Sequence, residues 1–417
     1  MALDLARIDQ FLRSLEGARD DDELRRLFDT YNAEFDLGVP PDPYSQAYRD
    51  HQFSIYEWLF GKPYSTRHEQ SLFDVASAAR APFPYMHGSY GTVGDQLIAI
   101  GFLIKAMALP KGARILEFGP GWGNTTLALA KMGYQVTAID IEPNFVALIE
   151  ERARMERIEG LEVLLGDFSV IEDLRESYDA ILFFECFHHC SDHLRLIAAF
   201  DKALKPGGIV CFAAEPIVPE FPIPWGLRMD GQSLWAIRRN GWLELGFNKT
   251  YFEETMRRHG WWLEQHRGQD SPLAKAFIAR RASELCESWH FGRPGLRSLV
   301  GRKIGTQVAT DGRAGYLMYG PYVPRPSGKY VAQVKVDSRA TTRGWLRVEV
   351  VADAGQRELA SDRVDMKPGL TAIDLPFVLD TAWPDLEIRA YCECETLVTL
   401  EGASLALRTS SGGDSRR

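Results

Sequence analysis

The sequence is poor in the features that mark several specialised classes of protein. It has six cysteines in 417 residues, Cys186, Cys190, Cys211, Cys286, Cys392 and Cys394. They are too sparse for the disulfide framework of a small secreted domain. No run of about 18 uninterrupted apolar residues occurs, so no membrane span is expected. Residues 1–28, MALDLARIDQFLRSLEGARDDDELRRLF, are charged and amphipathic and lack the apolar stretch and cleavage site of an export signal. Basic residues are outnumbered, 48 against 57 acidic, for a net charge of −9. That balance argues against nucleic acid as a partner. No internal repeat is found. Hydrophobic residues make up 45% and charged residues 25%, an ordinary globular composition. The expectation is a cytoplasmic protein with reduced thiols, with a homo-oligomer left open. At roughly 150 residues per domain, two or three domains are expected.

Residues 4 to 35 read as one or two helices, with Ile8, Phe11, Leu12 and Leu15 at helical spacing and Leu24, Leu27 and Phe28 continuing it. Residues 38 to 92 read as irregular and aromatic, broken by Pro40, Pro41, Pro43, Pro63, Pro82 and Pro84. A buried helix is expected over 93–108. From residue 113 short apolar strands alternate with helices, the pattern of a doubly wound, mostly parallel α/β sheet. WWLEQHRG and AKAFIARR then form an antiparallel edge, for seven strands in all. After about residue 283 the helical period vanishes and short alternating segments, such as KYVAQVKVD and WLRVEVVAD, argue a β-sandwich. The expected organisation is therefore a helical and irregular cap over 1–99, an α/β domain over 100–282, an all-β sandwich over 283–408 and a disordered tail over 409–417.

The opening turn of the α/β pattern reads Ile115-Leu-Glu117-Phe-Gly119-Pro-Gly121-Trp-Gly123. Glycine lets backbone approach a ligand that a Cβ would strike, and open α/β sheets bind ligands at such strand ends. A dinucleotide fingerprint would place its third glycine at position 124, where Asn124 stands. The E-x-G-x-G-x-G form instead resembles the first motif of class I S-adenosyl-L-methionine (SAM)-dependent methyltransferases. Four later features follow in that family's order: Asp140 ending VTAID, Gly166-Asp167-Phe168, Glu185-Cys-Phe-His188-His189, and Leu204-Lys-Pro-Gly207-Gly208. The resemblance covers about residues 100 to 282. It implies SAM as cofactor, held by Glu117, Gly119, Gly121, Gly123, Asp140, Ile141, Asp167, Phe168 and Glu185. Within it, Asp140 takes the ribose hydroxyls and the Asp167–Phe168 position contacts the adenine.

Methyl transfer needs alignment first, and a hydroxyl acceptor also needs a base. His189, His188 and Glu185 are the expected catalytic candidates, with His193 close behind in sequence. The same histidines also fit a plain pocket wall. Cys186, His188, His189 and Cys190 are all potential zinc ligands, but four in five residues crowd a closed tetrahedral site, so no metal is expected. Two regions can shape an acceptor site. One is aromatic, with Tyr48, His51, Tyr56, Trp58, Tyr64, Tyr85, His87 and Tyr90. The other follows the fifth strand, with Glu215, Trp225, Arg228, Trp235, Arg238, Arg239 and Trp242. Aromatic faces beside arginines suit a sugar, and they equally suit plain packing. In the C-terminal part, Gly315-Tyr-Leu-Met-Tyr-Gly320-Pro321-Tyr322, Pro326-Ser327-Gly328-Lys329-Tyr330 and Leu386-Glu387-Ile-Arg389 resemble a sandwich of carbohydrate-binding type. The expected function is O-methylation of a sugar or glycan hydroxyl. The alternatives are a non-sugar small-molecule acceptor, a non-catalytic SAM-binding module and, against Asn124, a nicotinamide oxidoreductase.

Overall fold

The computed structural model describes residues 5–33, 38–81, 83, 89–175, 177–281, 286–291, 295–325, 328–381 and 383–407. Pro82, Pro84, Tyr85, His87, Pro326, Ser327, the side chain of Cys286 and the tail after Leu407 lie outside the described residues. The chain forms two compact units, residues 1–281 and 282–417.

The first unit begins with α1 (Leu5–Leu15), α2 (Asp21–Phe28), α3 (Gln46–Phe60), α4 (Val75–Arg80) and α5 (Tyr90–Met107). The expectation of irregular chain over 38–92 is corrected by α3 and α4. Ser45 caps α3 by accepting the Tyr48 N–H, and Gly61 ends it in the left-handed conformation, φ 85°. Its buried face is Tyr48, Gln52, Tyr56 and Leu59, a true helical stripe that is aromatic and polar in place of aliphatic. A hydropathy reading passes over such a stripe.

There follow β1 (Arg114–Phe118), α6 (Asn124–Lys131), β2 (Gln135–Asp140), α7 (Pro143–Glu156), β3 (Leu161–Leu165), β4 (Tyr178–Phe184), α8 (His193–Ala203) and β5 (Leu204–Ala213). After them come β6 (Ile217–Val218), β7 (Trp225–Leu227), α9 (Gly231–Asn240), β8 (Leu245–Asn248), α10 (Lys249–Arg258), β9 (Trp261–Arg267) and β10 (Lys275–Arg281). Seven strands form one sheet in the order β3-β2-β1-β4-β5-β10-β9. The first five run parallel, and β10 is antiparallel to both β5 and β9. This is the mostly parallel seven-stranded sheet expected.

Side chains alternate across the sheet, and both faces are covered. Leu116, Phe118, Ile181, Phe183 and Phe212 pack with α8 and α10. Ile115, Val136, Ala180, Leu182 and Cys211 pack with α5 and α6. The cap and the stretch after β5 are built into each other. Tyr48 donates its hydroxyl to Trp225 O at 2.8 Å, Tyr56 to Gly241 O at 2.5 Å, and Trp225 Nε1 donates to Pro43 O at 2.8 Å. Strand order reverses between β1 and β4, and the site forms at that switch point.

The second unit continues with β11 (Cys286–His290), β12 (Arg302–Ile304), β13 (Gln307–Ala309), β14 (Gly315–Arg325) and β15 (Gly328–Asp337). It ends with β16 (Trp345–Ala352), β17 (Arg357–Asp365), β18 (Ala372–Leu379), β19 (Trp383–Cys392) and β20 (Thr399–Leu407). One antiparallel sheet has the order β12-β13-β20-β15-β18, with β11 on β20. The other has β14-β19-β16-β17. In β18 the buried residues Ile373, Leu375, Phe377 and Leu379 alternate with exposed ones. They share a core with Val348, Leu386 and Ile388 of the second sheet. Among the described residues no helix is long and apolar enough to cross a membrane.

Candidate active site

The turn between β1 and α6 carries three glycines at positive φ, Gly119 at 58°, Gly121 at 51° and Gly123 at 75°. Two are wedged. A Cβ on Gly119 would lie 2.1 Å from Cys186 Sγ, and one on Gly123 would lie 2.5 Å from an Ile149 side-chain carbon. These contacts seat the turn against the end of β4 and against α7. Gly121 differs, because no atom of the described residues lies within 4 Å of where its Cβ would be. Its N–H donates to Asp140 Oδ2 at 3.0 Å, and the Glu142 N–H donates to Asp140 Oδ1 at 2.9 Å. Burial pushes the Asp140 carboxyl up to about 6.

A cavity of about 880 Å³ opens from this turn. Of the sequence-predicted residues, Gly119, Gly121, Asp140, Ile141, Asp167, Phe168, Glu185, His188 and His189 line it. Gly123 packs on Ile149 and Glu117 sits in the sheet, 1% exposed, with Oε2 lacking a hydrogen-bond partner among the described residues. Neither is part of the cavity wall. Burial pushes Glu117 up to about 7. Asp167 caps the following short turn, accepting the Ser169 N–H at 2.8 Å. Asn124 opens α6 and takes an Arg152 guanidinium N–H at 2.9 Å.

The other end of the cavity is built on the turn Phe187–His189, which follows β4. The Glu215 carboxylate accepts N–H bonds from Cys186 at 2.8 Å, Phe187 at 2.8 Å and His188 at 3.2 Å. A carboxylate at this end satisfies the turn's free donors. It also meets His188 Nδ1 at 2.8 Å. The two imidazoles lie side by side, with ring centroids 4.2 Å apart and planes 37° from parallel. His188 Nε2 lies 3.6 Å from Glu244 Oε2, and His189 Nδ1 lies 3.7 Å from Glu69 Oε2. Arg228 reaches Glu244 at 3.4 Å, and the Leu243 N–H donates to Glu69 Oε1 at 2.8 Å. Glu185 accepts from Gln96 Nε2 at 3.1 Å. Desolvation pushes Glu69 and Glu185 up to about 7 and both imidazoles down to about 4. Both rings are therefore neutral at pH 7.

Other expectations separate here. His193 starts α8, 2% exposed, with Nε2 2.8 Å from the Tyr251 hydroxyl. It is a core residue and lines no part of the cavity. Tyr48, Tyr56 and Trp225 are likewise core, whereas Tyr64, Trp235, Trp242 and Arg228 line the cavity. The sequence reading missed Glu69 and Glu244 and gave Glu215 no task. Each contact crosses between distant segments, and no spacing rule marks it.

A family model described as a methyltransferase domain matches residues 116–212. Over 115 residues the chain is 36% identical to the ubiquinone biosynthesis O-methyltransferase of Xanthomonas campestris pv. campestris (strain B100), covering 27% of this chain and 46% of that protein. Over 109 residues it is 33% identical to an S-adenosyl-L-methionine-dependent Diels-Alderase of Talaromyces variabilis, covering 25% of this chain and 37% of that one. A solved structure of Burkholderia thailandensis 1,6-didemethyltoxoflavin-N1-methyltransferase aligns at TM-score 0.34 and 19% identity, over 51% of this chain and 92% of that one. The chain spans about half the length of the curated relatives it matches. Residues 116–212, which run from β1 through β5 and include the glycine turn, Asp140 and the histidine turn, are thus similar throughout to a methyltransferase domain.

Proposed function

We propose that the chain is a SAM-dependent O-methyltransferase. The observation that carries this reading is one cavity lined both by Gly121 and Asp140 and by His188, His189 and Glu69. The first of these sets fits the cofactor. Asp140 is a carboxylate only 5% exposed that faces the cavity, and it has acceptor capacity left for ribose hydroxyls. Gly121 leaves its side of the turn open for close approach. Asp167, Phe168 and Glu185 line the same cavity, and on this reading the first two would hold the adenine and Glu185 the cofactor's amino group. When bound, SAM supplies an electrophilic methyl group.

The protein's work is then to orient the acceptor oxygen and remove its proton. His188 and His189 stay neutral and face that oxygen. The proton passes to Glu69, which faces His189 and has no arginine or lysine partner among the described residues. The relatives named for O-methyl transfer support oxygen as the acceptor atom. The acceptor class we infer is a sugar or glycan hydroxyl. Trp235, Trp242 and Tyr64 offer apolar walls with Arg228 and Arg49 beside them, the mixture that a sugar ring fits. The resemblance of the C-terminal sequence segments to carbohydrate-binding sandwiches supports the same class.

The test is turnover. Purified protein is incubated with methyl-labelled SAM and a panel of sugars, nucleotide-sugars and phenols. Labelled ether and demethylated cofactor are expected with a sugar. Label in a phenol alone would move the acceptor class. SAM binding without turnover on any acceptor would favour a non-catalytic module, and no binding at all would remove the cofactor reading.

A further inference from the structure

His188 Nε2 and His189 Nδ1 have no hydrogen-bond partner among the described residues. Glu215 fixes His188 from behind, because at 2.8 Å it takes the Nδ1 proton. The Nε2 lone pair then points toward Glu244 at 3.6 Å, too far for a hydrogen bond. Two acceptors facing each other repel unless something positive lies between them. His189 Nδ1 is buried and has no hydrogen-bond partner among the described residues. Arg228 Nη1 reaches that same Glu244 oxygen, Oε2, at 3.4 Å and holds the carboxylate beside the ring. His188, His189 and Glu244 each offer one ligand atom, and these atoms lie within 4.8 Å of one another.

We propose that His188, His189 and Glu244 hold a divalent transition-metal ion at the acceptor end of the cavity, and that this ion binds the acceptor oxygen. The proposal rests on reading this cavity as the methyl-transfer site. The chemistry of the donor set supports it. Two imidazoles and a carboxylate suit zinc, cobalt or manganese, and three protein ligands leave positions open for substrate. Ligand atoms around such an ion stand about 3–3.5 Å apart, so a small tilt of the side chains closes the present spacing. The Glu215–His188 contact is the arrangement that orients a metal-bound imidazole, a carboxylate on the far ring nitrogen.

Charge points the same way. Glu69, Glu185, Glu215 and Glu244 gather here, and the cations that act on them include Arg25, Arg228 and Lys275. A divalent ion would offset that excess. It would also lower the pKa of a bound hydroxyl, leaving Glu69 beside the site to receive the proton. The zinc quartet considered from sequence shares His188 and His189 with this group, but its two cysteines do not join it. Cys186 Sγ is pressed against Gly119, and Cys190 is 2% exposed. Among the described residues, the only three-ligand group is the one built with Glu244.

The experiment is calorimetric titration of chelator-treated full-length protein with zinc, cobalt and magnesium, alongside visible absorption of the cobalt complex. Zinc and cobalt are expected to bind at one ion per chain, with cobalt bands of a nitrogen- and oxygen-ligated ion. Glu244→Gln should weaken zinc at least about tenfold, a typical loss at a metal site, while SAM binding heat stays unchanged. If Glu244→Gln fails to fold, His189→Gln replaces it, since that side chain is 26% exposed and tolerates change. Zinc or cobalt affinity equal in wild type and variants would overturn the site. Methyl transfer that survives chelation with no metal bound would overturn the site and keep the proposed function. One bound ion without turnover on any acceptor would keep the site and sink the function.

Discussion

Asp140 and Glu117 are both buried carboxylates beside the glycine turn, and their surroundings separate their roles. Asp140 holds the Gly121 N–H and faces the cavity. Asp140→Ala is expected to lower the affinity for SAM and for its demethylated product by about tenfold or more, equal to roughly 1.4 kcal/mol, as read by calorimetry. Unchanged affinity would move the ribose contact elsewhere. Glu117 lies out of the cavity wall and its carboxyl is raised from 4.5 to about 7. Below pH 4.5 it is protonated in folded and unfolded chains alike. As pH rises toward 7 the unfolded chain releases a proton that the folded chain keeps, so stability falls across that window. Glu117→Gln removes this loss. At pH 8 it should stabilise the cofactor-free protein by something on the order of 1–3 kcal/mol, with the gain fading toward pH 4.5. Melting temperatures across that range check the sign, and a variant less stable at pH 8 would show that the charged form is used.

At the scale of elements, the glycine turn divides into packing and binding positions. Gly119→Ala drives a Cβ into Cys186 Sγ and forces alanine into the left-handed region. Together these should destabilise by about 2–4 kcal/mol, and Cys186→Ala added to it should recover part. Gly121→Ala meets no atom and carries only the backbone strain, about 1–2 kcal/mol. That variant should fold and bind the cofactor worse. Denaturant unfolding paired with binding heats separates the two, and equal behaviour would mean that Gly121 faces no ligand. Helix α3 teaches a related lesson. Ser45 and Gly61 cap it, but its buried face of Tyr48, Gln52 and Tyr56 makes sense only against Trp225, Leu227 and Gly241, which it hydrogen-bonds.

At the scale of the molecule, each unit has its own core. The core holding Phe183 and the core holding Val348 share no residue. A chain of residues 1–281 is therefore expected to melt cooperatively and to keep SAM affinity within about threefold, below 1 kcal/mol. In the full chain, Phe183→Ala, which empties a site stacked between Phe118 and Phe212, should cost its unit about 3–5 kcal/mol. Calorimetric scans check both. A fragment without a cooperative transition would show that the first unit depends on the second.

Local order in the chain determined a good deal. The alternation of strands and helices from residue 113, the antiparallel end pair and the glycine turn with Asp140 follow from periodicity and spacing. Each of these is set by neighbours a few residues apart. Tertiary structure decided what surrounds the histidine turn. Glu69 comes from the cap, Glu215 and Glu244 from the stretch after β5, and all three close around a histidine turn that follows β4. It also decided which aromatic residues are core and which are wall, and it set His193 apart from His188 and His189. A buried polar contact is fixed by where separate segments cross, and crossing leaves no periodic trace in any one of them.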